Sequence, residues 1–122
     1  MNVDKLKAAE LLEAVGTLFL IPEWHTKGQE ARDCEGNFSS AVTGKDACSF
    51  CAIGGIYAAG SDPLFSGQGV TGLAETYLSK DPAVVRAGDI VDFNDYEYRT
   101  AEQVAMAFFR TANRLRKQAA KS

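Results

Sequence analysis

Cys48 and Cys51, in the stretch "DACSFCAIGG", stand in C-x-x-C spacing and are the most chemically suggestive residues of the chain. Four kinds of chemistry fit them. A redox site of the thioredoxin type places its attacking cysteine at a helix N-terminus, where the dipole lowers the thiol pKa, and Cys48 falls near the start of a predicted helix. The βαβ pattern that gives that motif its meaning is missing. With Cys34 and His25 the pair makes a Cys3His set of the right number and softness for structural zinc. Only one pair of that set is close in sequence, and it consists of every cysteine and the single histidine of the chain. Cys51 or Cys48 with His25 and an aspartate would serve as a nucleophile with its base. The preferred reading is packing, because free cysteine is among the most frequently buried residue types. No catalytic or metal-ligating residue is therefore assigned, and no cofactor is called for.

A second polar constellation is "FNDYEYR", where Asn94 and Asp95 precede Tyr96 and Tyr98. Asx residues at a turn or helix entry normally satisfy backbone donors, and that structural role is preferred. The functional alternative is an amide and a carboxylate presented beside aromatic rings, suited to a small polar ligand or a partner's backbone. Trp24, Tyr96 and Tyr98 would be the anchors of such a surface, so the candidate binding residues are Trp24, Asn94, Asp95, Tyr96 and Tyr98.

The elements that must position these groups follow from periodicity. Ala8, Leu11, Leu12 and Val15 recur at i, i+3, i+4 and i+7 and predict a first helix, with Asn2 or Asp4 as its cap and Gly16 as a left-handed stop. Residues 17–45 read as irregular, with a short hairpin around Glu35–Gly36. The cysteine stretch reads as a helix over 47–59, capped by Asp46 and apolar all round, hence buried. Gly54 and Gly55 within it predict that another backbone passes close by. The glycine-rich stretch 60–72 lacks the P-loop pattern and reads as a surface loop. Thr71 then caps a helix through "GLAETYLSK", and "GDIVDFND" reads as an extended segment or turn. Thr100 and Gln103 form a capping box for a last helix whose face is Ala101, Val104, Ala105, Phe108, Ala112 and Leu115.

Composition bounds the rest. A chain of 122 residues with 46% hydrophobic and 24% charged residues can bury one core. The net charge of −3 argues against a nucleic-acid surface. The basic cluster Arg110, Arg114, Arg116, Lys117 and Lys121 reads as a complement to the last helix's dipole rather than a polyanion site. No apolar run is long enough for a membrane span, and the N-terminus lacks the features of a signal peptide. With an odd cysteine count, free thiols and a cytoplasmic location are expected, with no disulfide.

The segments "CAIGGI", "IVDFND" and "TAEQVAMAF" resemble a small bacterial and phage family, a domain of unknown function. Its pattern is a Trp, an Ala-x-Asp-x-x-Gly stretch, a C-A-x-G-A-type helix, an Asn-Asp pair and a T-A-x-x-V helix. Here those positions are Trp24, Ala31 to Gly36, Cys51 to Gly55, Asn94-Asp95, and Thr100 to Val104. His25, Cys34 and Cys48 match no position of the pattern, which counts against zinc and against a Cys–His pair. The resemblance implies a mobile-element accessory protein that binds or inhibits a host protein.

Taken together, the sequence predicts a mainly α single domain over 1–122, with a frayed tail at about 117–122. About four helices surround a buried central one, with at most a small β-hairpin. The expected role is a small cytoplasmic binding module for a protein partner or a small polar ligand. The alternative is a small cysteine-dependent enzyme or redox protein using Cys48 and Cys51.

Overall fold

The first helix and the last lie against each other along most of their length, and the rest of the chain is built around that pair. In the computed structural model, residues 3–40, 46–65 and 69–121 are described. Helix α1 spans Val3–Phe19, and a 3-10 turn covers Pro22–Trp24. Strands β1 (Ala31–Asp33) and β2 (Ala47–Phe50) come next, followed by α2 (Ala52–Gly60) and α3 (Val70–Leu78). The chain ends with α4 (Pro82–Ala87), α5 (Ile90–Asp95) and α6 (Ala101–Lys121). The described residues thus form a mainly α fold with one two-stranded antiparallel hairpin, as the sequence predicts.

The seam between α1 and α6 follows the helical period. Leu11, Leu12, Val15 and Phe19 of α1 are buried against Val104, Phe108, Ala112 and Leu115 of α6. Phe19 and Phe108 meet edge to face at 5.7 Å. Gly16 is no stop signal: it lies inside α1, where a Cβ would sit 3.1 Å from Phe109 and 3.2 Å from Phe108. Its lack of a side chain lets the two helices approach. The helix instead ends before Pro22, whose ring disfavours helical backbone at Ile21 (φ −96°, ψ 103°). Asp4 lies in the first turn of α1, and Asn2 falls outside the described residues. At the other end of the chain α6 continues to Lys121, through the segment where the sequence predicts a frayed tail.

The capping box is present in both directions: the Thr100 N–H donates to Gln103 Oε1 at 3.0 Å, and the Gln103 N–H donates to Thr100 Oγ1 at 3.1 Å. The basic residues of α6 hold neighbouring elements rather than only its own dipole. Arg110 forms a two-pronged pair with the fully buried Asp81, which also caps α4 by accepting from the Ala83 N–H. Arg114 donates to the Tyr77 carbonyl, and Arg116 pairs with Glu13 across the surface.

Five local expectations are corrected. Residues 47–50 are strand β2, paired antiparallel with β1 (Ala31 with Phe50, Arg32 with Ser49), so the helix is shorter and begins at Ala52. Asp46 does not cap it; its carboxylate accepts from the Ser39 hydroxyl. Helix α3 is capped by Gly69 at φ +86°, with Thr71 inside its first turn; residues 66–68 of the glycine-rich stretch lie outside the described residues. "IVDFND" is helix α5, started by Asp89, whose side chain accepts from the Asp92 N–H. Finally, Cys34 and Cys48 form a disulfide, because the hairpin brings their Cα atoms to 5.1 Å, within bridging range. Cys51 alone keeps a free thiol. The turn at Glu35–Gly36 is where the sequence places it, with Gly36 at φ +88° and its N–H on the Asp33 carbonyl; it folds Phe38 back against Arg32 within the longer connection from β1 to β2.

Candidate functional site

Helix α2 begins in an unusual way, and the site grows from that start. Cys51 is its N-cap, with extended backbone and its Sγ accepting from the Gly54 N–H at 3.2 Å. The Cys51 N–H in turn donates to the Glu30 carbonyl at 3.0 Å. That carbonyl occupies the place a Cβ on Gly54 would need, and a Cβ on Gly55 would press on Val15 and Phe19. The Gly-Gly pair therefore admits a neighbouring backbone on one side and the α1 core on the other, as expected from its helical cost.

Asn94, at the end of α5, ties this helix start to two other segments. It is 1% exposed and makes four hydrogen bonds. Its Oδ1 accepts from the Ala52 N–H at 3.0 Å and from His25 Nε2 at 2.7 Å. Its Nδ2 donates to the Thr26 carbonyl at 3.0 Å and to Asp95 Oδ1 at 2.9 Å. The two acceptors around Nδ2 fix the amide's orientation, and that orientation assigns the His25 proton to Nε2. Asp95 Oδ1 also accepts from the Gly28 N–H at 2.9 Å, while Asp95 itself is exposed. Lys27 completes the closure by donating to the Tyr96 carbonyl at 2.6 Å.

These segments enclose a cleft of about 210 Å3. Ile53, Ile90 and Val91 give it apolar walls, Cys51 lies within it, and Asp95 stands at its edge beside residues 28–30. Burial raises the Cys51 thiol pKa above its usual value; the Gly54 and Ile53 N–H groups pull it down, and the negative charges of Asp95 and Glu30 push it up again. Burial likewise lowers the His25 pKa, against the Asn94 hydrogen bond that raises it, with Lys27 lowering and Asp95 raising it further. Near neutral pH the site thus holds a protonated thiol and a neutral imidazole.

The sequence candidates separate into three groups. Cys51, His25, Asn94 and Asp95 come together around this network. His25 and Cys51 share no hydrogen bond among the described residues, because Nε2 is held by Asn94 and Sγ by the helix start. Cys34 and Cys48 are withdrawn into the disulfide, and no group of three or more His, Cys, Asp or Glu among the described residues is placed to hold a metal ion. Trp24 is half-buried and stacks on Phe50 at 6.3 Å, away from the residues that line the Asp95 cleft. Tyr96 and Tyr98 are 51% and 72% exposed and meet edge to face at 5.5 Å. The Arg99 guanidinium lies 4.2 Å from the Phe93 ring centre and 5.3 Å from that of Tyr96.

Sequence reasoning missed Thr26, Gly28 and Ala52, whose contributions are backbone groups that leave no residue-type signal. It missed the walls Ile90 and Val91 because "GDIVDFND", which holds α5, reads as an extended segment or turn. An Asp-x-x-Asp start at Asp89 was the available sign of that helix.

A family model described as a family of unknown function, DUF6197, matches residues 4–114. The chain belongs to that family. No curated protein and no solved structure matches it. Among the described residues no helix is long and apolar enough to cross a membrane.

Proposed function

We propose that this member of the DUF6197 family is a binding module that receives a basic side chain of a partner protein in the cleft edged by Asp95. The observation that carries this is the placement of Asp95: its carboxylate is exposed at the edge of an apolar-walled cleft while Asn94 and the Gly28 N–H hold one of its oxygens in place. A cleft of about 210 Å3 suits one side chain, with its aliphatic stem along Ile53, Ile90 and Val91 and its charged head at the carboxylate. Tyr98, three residues on from Asp95 and 72% exposed, is of a residue type that concentrates binding energy at interfaces. The net charge of −3 favours approach of a basic partner.

The alternative, a cysteine-dependent enzyme, draws less support. Cys51 is protonated and occupied as a helix cap, and Cys48 lies in strand β2 rather than at a helix N-terminus that would lower its pKa. A cytoplasmic location and a mobile-element role against a host protein belong to the same proposal. In the cytosol the Cys34–Cys48 pair would be held reduced.

Two measurements test the reading together. Asp95→Asn keeps an acceptor for Gly28 and Asn94 but removes the charge. It should melt like the parent and lose the partner that the parent captures from host lysate. Equal capture by both proteins refutes the Asp95 site. Cys51 in the folded protein should react with iodoacetamide more slowly than a free thiol, and fast alkylation with an apparent pKa below about 8.5 would favour the enzyme.

A further inference from the structure

On the other side of α5 from the Asp95 cleft lies a larger groove of about 480 Å3 between α4 and α6. Pro82, Ala83 and Met106 supply its apolar surface, and Arg86, Arg99 and Arg110 its charge, with Glu102 as the acidic residue among its lining. The three arginines are in different states. Arg110 is committed to Asp81 through two hydrogen bonds. Arg99 is positioned: its Nε donates to the Phe93 carbonyl at 2.9 Å, and its guanidinium carbon lies over the rings of Phe93 and Tyr96. Neither Arg99 nor the exposed Arg86 has a carboxylate at ion-pairing distance among the described residues. A second hollow beside it, which includes Asp92 and Tyr96, shares Ala83, Arg86 and Arg99.

We propose that this groove binds a small organic acid, a carboxylate carried on an apolar body, with Arg99 and Arg86 as its clamp. A guanidinium held by a hydrogen bond and packed over aromatic rings has already lost the freedom that a flexible side chain gives up on binding, and its planar fork matches a carboxylate. Counting Asp81 against Arg110, the groove's lining carries Arg86 and Arg99 against Glu102, one net positive charge on a chain of net −3. The first turn of α6, which contributes Glu102 and Gln103, adds the positive end of a 21-residue helix. The volume lies in the range of small-molecule sites, where apolar walls bury the body and a few polar groups fix its orientation. The site is independent of the Asp95 cleft: it uses different side chains and selects the opposite charge.

The probe is 4-phenylbutyrate, titrated into the intact chain and followed by amide and arginine side-chain NMR shifts. Binding should perturb Arg99, Arg86 and Met106, and the neutral 4-phenylbutyramide should bind about tenfold more weakly or not at all. Arg86→Gln, whose side chain bonds to no other element among the described residues, should weaken binding severalfold with the melting temperature unchanged. Arg99→Gln should weaken it by about tenfold or more. Glu102→Gln should strengthen binding, an effect that loss of structure cannot imitate. The proposal is overturned if the amide binds as well as the acid, or if both arginine variants bind like the parent. It is overturned as well if an acetylated Glu-Phe-Glu peptide binds these residues more tightly than the free acid, which would make the groove a protein-docking surface.

Discussion

The α1–α6 seam and the Asn94 network both join distant parts of the chain, but they do so with opposite chemistry. The seam is apolar and redundant: many buried side chains contribute, so its strength is spread over two long helices. The network is polar and concentrated: one buried amide holds the start of α2, the 25–26 segment and Asp95 through four directional bonds. Burial energy is tolerant of which apolar residue supplies it. A buried polar group is intolerant, because each partner left unpaired keeps its full desolvation cost. The Asp95 cleft stands on the part of the molecule organised the second way.

The largest effect should come from the seam. Phe108→Ala removes a fully buried ring that meets Phe19 edge to face, and should cost about 3–5 kcal/mol by lost transfer energy plus a cavity. Urea denaturation measures it. A loss under about 1 kcal/mol would mean that the seam does not carry the fold.

Asn94→Ala sharpens the contrast. It leaves the Ala52 N–H and the Thr26 carbonyl without their side-chain partner and should cost about 2–3 kcal/mol, less than Phe108→Ala. The damage should also be local. Hydrogen exchange should accelerate at Ala52 and Gly28 while the amides of α1 and α6 keep their protection relative to global unfolding. Uniform acceleration throughout the chain would show that the network and the seam are one cooperative unit.

The same contrast explains what could be read from the sequence. The α1 and α6 faces repeat an apolar period over many residues, and the Thr100–Gln103 box is a local pairing, so both were legible. Gly54 and Gly55 announced a close approach, though not that the Glu30 carbonyl would be the neighbour. Residues 47–50 read as helix because their apolar run is too short to separate strand from helix, and their pairing with Ala31–Asp33 is a tertiary fact. The disulfide was hidden for the same reason: Cys34 and Cys48 meet only through that hairpin. Asn94 was legible as a residue suited to satisfying backbone groups, but its partners lie 42 and 68 residues away. Sequence patterns report what a segment does with its neighbours. They are silent on hydrogen bonds between segments.

The smallest effect is a dependence on pH that only the polar network should generate. Burial lowers the His25 pKa in the folded protein below the ordinary 6.5, so the unfolded chain binds the proton more tightly. Stability therefore rises with pH across the window between the lowered folded value and 6.5; the contribution is intact above that window and is lost as pH falls through it. Lys27 opposes the imidazolium and Asp95 favours it, so the slope reflects the whole network rather than burial alone. Urea midpoints taken from about pH 8 down to about pH 5 should fall in the parent more steeply than in His25→Gln, which removes the titrating group. In Asn94→Ala the histidine loses the hydrogen bond that raises its pKa, so the loss should extend to lower pH than in the parent. Phe108→Ala, which leaves the His25–Asn94 bond in place, should keep the parent's slope at reduced stability. Identical slopes in the parent and His25→Gln would mean that the imidazole is not held neutral by the fold, and the polar region would then lack the tight closure ascribed to it.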